Sequence, residues 1–560
     1  GTIVNQGADE WSRHVTAYLW SRNVNNSDQL RQRVVYALSQ FLVVSLRHEV
    51  LGVTPILVAG YVDMLSANVF GNFRTLIENV CRSPAMGYYL THAANTAPEF
   101  DDTTTPPSIK RIPDQNFARE LLQLFTLGLT KLNMDGTDVL VNSKPVSAIA
   151  PTDVPVLSNV FTGWALDRSA DVAVSPLTMY RYRSKQTATA DVWCFQERDE
   201  LYDTSENGYD LDKRLYYFSS RPRFGSSPRY IVPMAPYVTF TQKRIHEINK
   251  DAAGNFVEEN LGTIQTHSTQ PLLLRQLGLA TGQAVAFLGK TNFQLGKDPV
   301  ESMKNALDAI FSHQNLAPFV AKQMIQHLVT SNPSAAYVKS VATEFLNSNW
   351  DMKTLIKSVL LDTEARKVGG TSYGRLKEPY MRVVQLMRAF GVPGLYPAET
   401  TTIADPIKAL NLNHQYMWAP SVFNDFSPRY AYSGGKMASG TTVRVIPQMQ
   451  ICTETSVIAY VNAMHDILQK GLGQVDQAID TTGNSAGALL LKPIVDSKPT
   501  PAAIVDLINT RLFGSTMSTD LQSMVLKAAT GASPTDATLL DRIKAAIFLA
   551  VVSTEYLVQP

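Results

Sequence analysis

Apolar side chains that return every three or four residues over most of a 560-residue chain leave few folds open. Phe117, Leu121, Leu124 and Phe125 stand at relative positions 0, 4, 7 and 8, which is one face of a helix. Trp11, Val15, Tyr18 and Leu19 repeat the pattern near the start of the chain. Leu30, Val34, Leu38, Phe41, Leu42 and Ser45 predict a longer helix, with Asn26 and Gln29 spaced as a capping box at its entry. Thr54 followed by Pro55 reads as an N-cap with Pro at the first helical position, and Phe73, Leu76, Ile77 and Val80 continue the series.

The periodicity returns beyond residue 292. Asp298-Pro299-Val300-Glu301 combines an acidic N-cap, Pro at the first position and Glu at the third. Met303, Leu307, Ile310 and Phe311 form the face that follows. Tyr337, Val338, Val341 and Phe345 form another, and Met352, Leu355, Ile356, Val359 and Leu360 a third. Thr453-Glu454-Thr455 opens a later helix, and several shorter ones close the chain, one beginning at Ser533-Pro534-Thr535-Asp536. Residues 91–113 are rich in Thr, Pro and Asp and read as a long loop leading into the Phe117 helix. Leu132 to Thr137 reads as a hairpin around an Asp-Gly turn.

Between residues 165 and 291 the helical period disappears. Tyr and Arg crowd together there, at Tyr180, Tyr182, Arg221 and Arg223 among others, and Tyr237-Val238-Thr239-Phe240 is the best strand. Alternating aromatic and basic residues bind ligands by stacking and cation–π contact, and they also pack ordinary loops. The expected architecture is therefore mainly α: a large multi-helix body carrying a β/loop-rich insertion. Its parts are 1–164, 165–291 and 292–560.

Composition removes several function classes. Charged residues are 18% of the chain against a usual ~25%, and the net charge is +1, so no global field recruits nucleic acid. No apolar run approaches the ~18 residues that span a bilayer. The three cysteines, Cys81, Cys194 and Cys452, are too far apart for a metal pair, and Cys81 and Cys452 read as small buried hydrophobes. The nine histidines form no HExxH or other close ligand pair, so neither a metal nor a cofactor is expected. No Gly-x-Ser-x-Gly elbow, P-loop or Gly-rich dinucleotide fingerprint occurs. The chain begins at Gly1, compatible with a cleaved signal peptide or with an N-terminus that continues upstream.

The most informative stretch is Asp114-Gln115-Asn116-Phe117-Ala118-Arg119-Glu120-Leu121-Leu122-Gln123-Leu124-Phe125-Thr126-Leu127-Gly128. Asp114 is a plausible N-cap and Gly128 a natural stop. Asn116, Arg119, Glu120 and Gln123 make a polar stripe opposite the apolar face. That stripe either meets solvent or forms an internal network, which must be fully satisfied because unpaired buried charge is costly. Asp114, Asn116, Arg119 and Glu120 are the candidate catalytic residues. Asp114 and Glu120, six residues apart, fall on different sides of an ideal helix, so a structural ion pair for Glu120 is preferred over acid–base work. Trp164, after Gly163, either lines a pocket or plugs the end of its helix.

This stretch resembles the signature of the bacterial domain of unknown function 1800 family, which reads Asn-Glu-Asn-Tyr-Ala-Arg-Glu-Leu with variation. Here Asp114-Gln115 replace the first pair and Phe117 replaces Tyr, so the ring hydroxyl is absent. Phe161-Thr162-Gly163-Trp164 matches a second hallmark, and Arg33 to Gln40, Leu376-Lys377-Glu378-Pro379 and Trp418 to Pro428 match others in order. The resemblance implies a bacterial protein, commonly exported. The expectation is a secreted or cell-envelope protein, periplasmic or extracellular, that acts through protein partners or self-assembly as a scaffold or assembly subunit. The competing expectation is an uncatalogued hydrolase or polysaccharide-acting enzyme centred on the Asp114–Glu120 helix.

Overall fold

A computed structural model of the chain describes residues 3–165, 178–183, 193–197, 234–236, 239–250, 252, 256–367, 374–392, 416–431, 444–471, 489–531 and 538–559. The architecture is mainly α, with strands confined to small sheets. The chain divides into two compact units. One comprises Gly1–Asn72, Met134–Gly136 and Val320–Pro560, and the other Phe73–Asn133 and Thr137–Phe319.

Local sequence chemistry accounts for much of the helical framework. In the second unit the helix Pro299–Phe311 starts as its sequence requires. The Asp298 carboxylate accepts from the Glu301 amide at 2.8 Å, and Glu301 accepts from the Lys297 amide at 2.9 Å. These bonds satisfy amides that the first helical turn leaves without partners. Met303, Leu307, Ile310 and Phe311 are all buried. In the first unit, helix Glu454–Lys470 opens with a capping box between Thr453 and Ser456. Helices Ala335–Asn347 and Met352–Leu361 take their N-caps from Ser334 and Asp351.

Other local expectations give way to tertiary context. Helix Gln29–Ser39 takes Asp28 as its N-cap, and the Gln29 amide donates to the Asn26 carbonyl, so the Asn26–Gln29 box does not form. That helix stops at Ser39, before Phe41, Leu42 and Ser45. These residues are still buried, because the chain beyond the helix runs through the interior: the Ser45 hydroxyl donates to the Ala419 carbonyl at 2.7 Å. Residues 91–113 are not all loop. Glu99–Asp101 and Ser108–Arg111 pair as an antiparallel hairpin, with the Arg275 guanidinium 4.1 Å from the centre of the Phe100 ring.

The Asp-Gly hairpin has Gly136 at φ 75° and a Leu132–Asp138 bridge, as the turn chemistry predicts. The strands Leu140–Val141 and Lys144–Pro145 form a further hairpin, turning through Asn142 and Ser143 at positive φ. In the insertion, a four-stranded sheet has the order Phe256–Gln265, Thr239–Lys250, Thr178–Arg183, Trp193–Glu197. Its central pairing, Thr178–Arg183 with Thr239–Lys250, is parallel and the outer pairings are antiparallel. The expected strand at Tyr237 begins at Thr239, and Tyr237 and Val238 lie outside the described residues. So does the helix start expected at Ser533. Cys81 is buried and Cys452 partly exposed, so only the first behaves as a core hydrophobe.

Candidate functional site

In the second unit the signature stretch is two kinds of helix joined end to end. Asn116–Glu120 is α-helical and Leu121–Thr126 is a π-helix. The wider turn is visible in the Leu127 amide, which donates to the Leu122 carbonyl five residues back at 2.9 Å. The Thr126 hydroxyl donates to the Leu121 carbonyl at 2.5 Å. Single π turns of this kind are frequent at functional sites.

The entry to this helix is fixed from both sides. The N-cap position falls to Gln115, whose side chain makes no capping bond, and not to Asp114. Asp114, one residue earlier, accepts from the Asn116 amide at 2.8 Å and so still braces the helix start. Asn95 grips the Asp114 backbone, accepting from its amide at 2.9 Å and donating to its carbonyl at 3.1 Å. The exit is held by Asn315. Its amide donates to the Leu127 and Thr130 carbonyls at 2.9 and 2.7 Å, and its oxygen accepts from the Leu132 amide at 2.9 Å. Gly128, at φ 80°, lies so close to Phe319 that a Cβ would come within 3.0 Å of the ring. Only a residue without a side chain fits that conformation there.

Between these anchors the polar stripe splits. Glu120 is buried, at 4% exposure, whereas Asn116 and Arg119 are exposed and Gln123 is half-buried. Among the described residues Glu120 forms no ion pair, and its Oε2 finds no hydrogen-bond partner. Burial raises its pKa above the ordinary glutamate value, and the neighbouring Arg119 charge only partly opposes that. The Tyr89 phenol is pushed up to about 12, first by burial and then by the Glu120 charge.

Arg119, Gln115 and Gln123 face the other way, into an open groove of about 240 Å³. Its far side is the loop from Ser147 to Pro151 together with Val154 and Pro155 of helix Asp153–Val160. A larger groove of about 550 Å³ lies between Gln270, Leu274 and the segment around Asn292. Asp114 and Glu120 line neither groove. The four candidate residues are therefore not convergent. Asp114 serves the helix start, Asn116 is exposed, Arg119 faces a groove and Glu120 faces the interior.

The Phe-Thr-Gly-Trp stretch packs directly on the signature. Phe161 meets Phe117 edge-on, with ring centres 4.7 Å apart, and His92 stacks on Phe117 at 3.8 Å. Burial lowers the His92 pKa to about 4, so the ring is neutral at ordinary pH. One of its nitrogens, Nε2, pairs with the Cys81 carbonyl at 2.8 Å. Phe117 thus occupies a closed aromatic site that holds the helix whether or not the ring carries a hydroxyl.

Thr162 accepts from the Ser268 amide at 2.8 Å, and its carbonyl lies 3.0 Å from His267 Nδ1. The other nitrogen of His267 lies 3.0 Å from the Ser302 hydroxyl. His267 and Ser302 are both buried and line neither groove, so this pairing ties segments together. Trp164 is 1% exposed and pairs in a two-residue strand with Pro236, with the Arg82 guanidinium 5.9 Å from its ring. It lines neither groove.

Tyr180 and Tyr182 lie in strand Thr178–Arg183, in register with Gln196 and Cys194. Arg221 and Arg223 lie outside the described residues. Asn95 and His267 had no sequence signal. Asn315 lies in one of the stretches that resemble the family, but nothing local marks it as the clamp on a distant helix end.

The first unit has its own polar centre, assembled from other motif residues. The Arg375 guanidinium pairs with the Glu378 carboxylate and donates to the His327 carbonyl at 2.8 Å. Gln448 donates to Glu378 at 3.3 Å. Burial, reinforced by the Arg375 charge, lowers the pKa of the nearby Arg33. Lys377 is brought down to about 7 by burial and by the charges of Arg382, Arg33 and Arg375.

Among the described residues no group of three His, Cys, Asp or Glu side chains is placed to hold a metal ion. No helix among them is long and apolar enough to cross a membrane. The family described as "Protein of unknown function (DUF1800)" matches residues 4–206 and 257–558. No curated protein and no solved structure matches the chain.

Proposed function

Starting from the fact that this chain belongs to the DUF1800 family, we propose that it is an exported or cell-surface protein that works through protein–protein contacts, as a scaffold or assembly subunit. The observation that carries this reading is the separation of shifted protonation from open space. Glu120, His92 and His327 have displaced pKa values, and none of them lines either of the two grooves described above. An acid–base enzyme needs such groups to converge on a concavity that admits substrate. Here Asp114 holds a helix start, Arg375 and Glu378 form a buried pair, and Glu120 faces the interior. Export rests on the family resemblance alone.

The reading is tested by fractionating producing cells and sizing the native protein by light scattering. The expected result is envelope or medium localisation in a particle larger than one chain. A monomer recovered from the cytosol overturns it.

One observation favours the enzyme alternative: a buried carboxyl without a partner, with raised pKa and beside a π turn, has the traits of a general acid. Glu120→Gln separates the two. Abolished turnover of a polysaccharide or ester substrate in a variant of undiminished stability would install the enzyme in place of the scaffold.

A further inference from the structure

We propose that the groove beside Arg119 is a binding site for a small carboxylate, of the size of a uronic acid or an acidic amino-acid side chain. Arg119 is the one ionisable side chain among the groove's lining residues, so the groove carries a positive charge with no internal anion. Among the described residues Arg119 makes no ion pair and donates no side-chain hydrogen bond. The side-chain amides of Gln115 and Gln123 are likewise unengaged there. Three polar groups thus face one concavity with their hydrogen-bonding capacity unspent, although neighbouring side chains of the same segment, Asp114 and Thr126, each bond the backbone.

The shape of the groove narrows the ligand. Its volume of about 240 Å³ falls below the ~300–1,000 Å³ of drug-sized sites, so the ligand is small. A planar guanidinium matches a carboxylate through two parallel N–H···O bonds. The opposite wall is Ile149, Pro151, Val154 and Pro155, and the prolines have no N–H to offer. A phosphate would want several cations, whereas the groove has only Arg119, and the helix start on this wall places Pro155, which has no N–H, where a further amide would stand. Arg119 therefore holds the carboxylate, Gln115 and Gln123 bond flanking hydroxyl or amide groups, and the apolar wall covers the ring or chain.

This site is independent of the assembly reading, since a monomer or an assembly could fill it. Saturation-transfer NMR on the full chain tests it with two matched pairs: D-glucuronate against D-glucose, and N-acetyl-L-glutamate against N-acetyl-L-glutamine. The expected result is transfer to at least one carboxylate at millimolar concentration, at least about tenfold weaker for its neutral partner, since charge-assisted bonds are about twice as strong as neutral ones. Which pair responds identifies a sugar or a peptide-like source. Arg119→Gln should abolish the signal and Gln123→Leu should weaken it. Lys304→Gln, at an exposed cation away from the groove, should leave it unchanged. No transfer to either carboxylate, equal transfer to the neutral partners, or full binding by Arg119→Gln overturns the proposal.

Discussion

Arg375 and Glu378, three residues apart in the chain, form an ion pair in which both side chains are buried, at 2% and 0% exposure. Gln448 also donates to Oε1 of Glu378, while Arg33 and Lys377 add positive charge nearby. A buried pair of this kind adds little net stability as a pair, but losing one member strands the other in a low dielectric.

Glu378→Gln should therefore destabilise the first unit by about 3–5 kcal/mol, read as a lowered urea midpoint by circular dichroism. Replacing both members by Met should recover most of that loss, because no charge is then left alone. If the double variant is as unstable as the single one, the pair is not what holds this region.

Glu120→Gln should stabilise the protein at neutral pH by an amount on the order of 1 kcal/mol, because it removes an ionisable carboxyl that the fold holds unpaired. The sign follows from the raised folded pKa. Proton uptake by Glu120 favours the folded state, so its contribution is fully present below the unfolded value of about 4.3 and is lost as pH rises through the folded value. The difference in Tm between variant and parent should accordingly vanish in acid and grow toward pH 7. A variant less stable than the parent at pH 7 contradicts this account.

Lys377 gives the opposite kind of pH dependence. Its folded pKa of about 7 lies below the unfolded value of about 10.4, so the fold favours the neutral amine. Stability tied to this group is fully present above the unfolded value and is lost as pH falls toward 7. Lys377→Met should raise Tm at pH 6 and make no difference at pH 11. Equal shifts at both values would show that the side chain acts through packing on Tyr556, whose ring it overlies at 4.2 Å, and not through its charge.

Asn315→Ala should destabilise the second unit by about 3 kcal/mol, since it strands the buried Leu127 carbonyl and Leu132 amide and the part-buried Thr130 carbonyl at once. Asn315→Asp keeps the acceptor for Leu132 and loses both donors, so it should be less damaging in acid, where the carboxyl can donate, than at neutral pH. Thermal melts at two pH values check both variants.

Most of the helical framework was legible because it depends on neighbours in sequence. Asp298, Pro299 and Glu301 make the start of their helix within four residues, and Met303, Leu307, Ile310 and Phe311 announce the buried face by spacing alone. The apolar side of the signature was legible for the same reason: Phe117, Leu121 and Phe125 are all buried, and Leu124 is half-buried. Its polar side was not. Arg119 and Glu120 are neighbours in one regular α turn, and which of the two is covered depends on the elements packed around that turn and not on its pitch.

What the sequence determined by itself is a chain of helices with known faces, interrupted by a strand-bearing insertion, and its membership of one family. What the tertiary structure alone decided is how the polar residues are employed. Glu120 became a buried acid and Arg119 the wall of a groove, although the two are adjacent in the chain. Asn95 and Asn315 came from distant segments to close the two ends of one helix. The physical reason is that apolar faces follow from spacing along one element, whereas a hydrogen-bond partner or a desolvated charge depends on which other elements close over it.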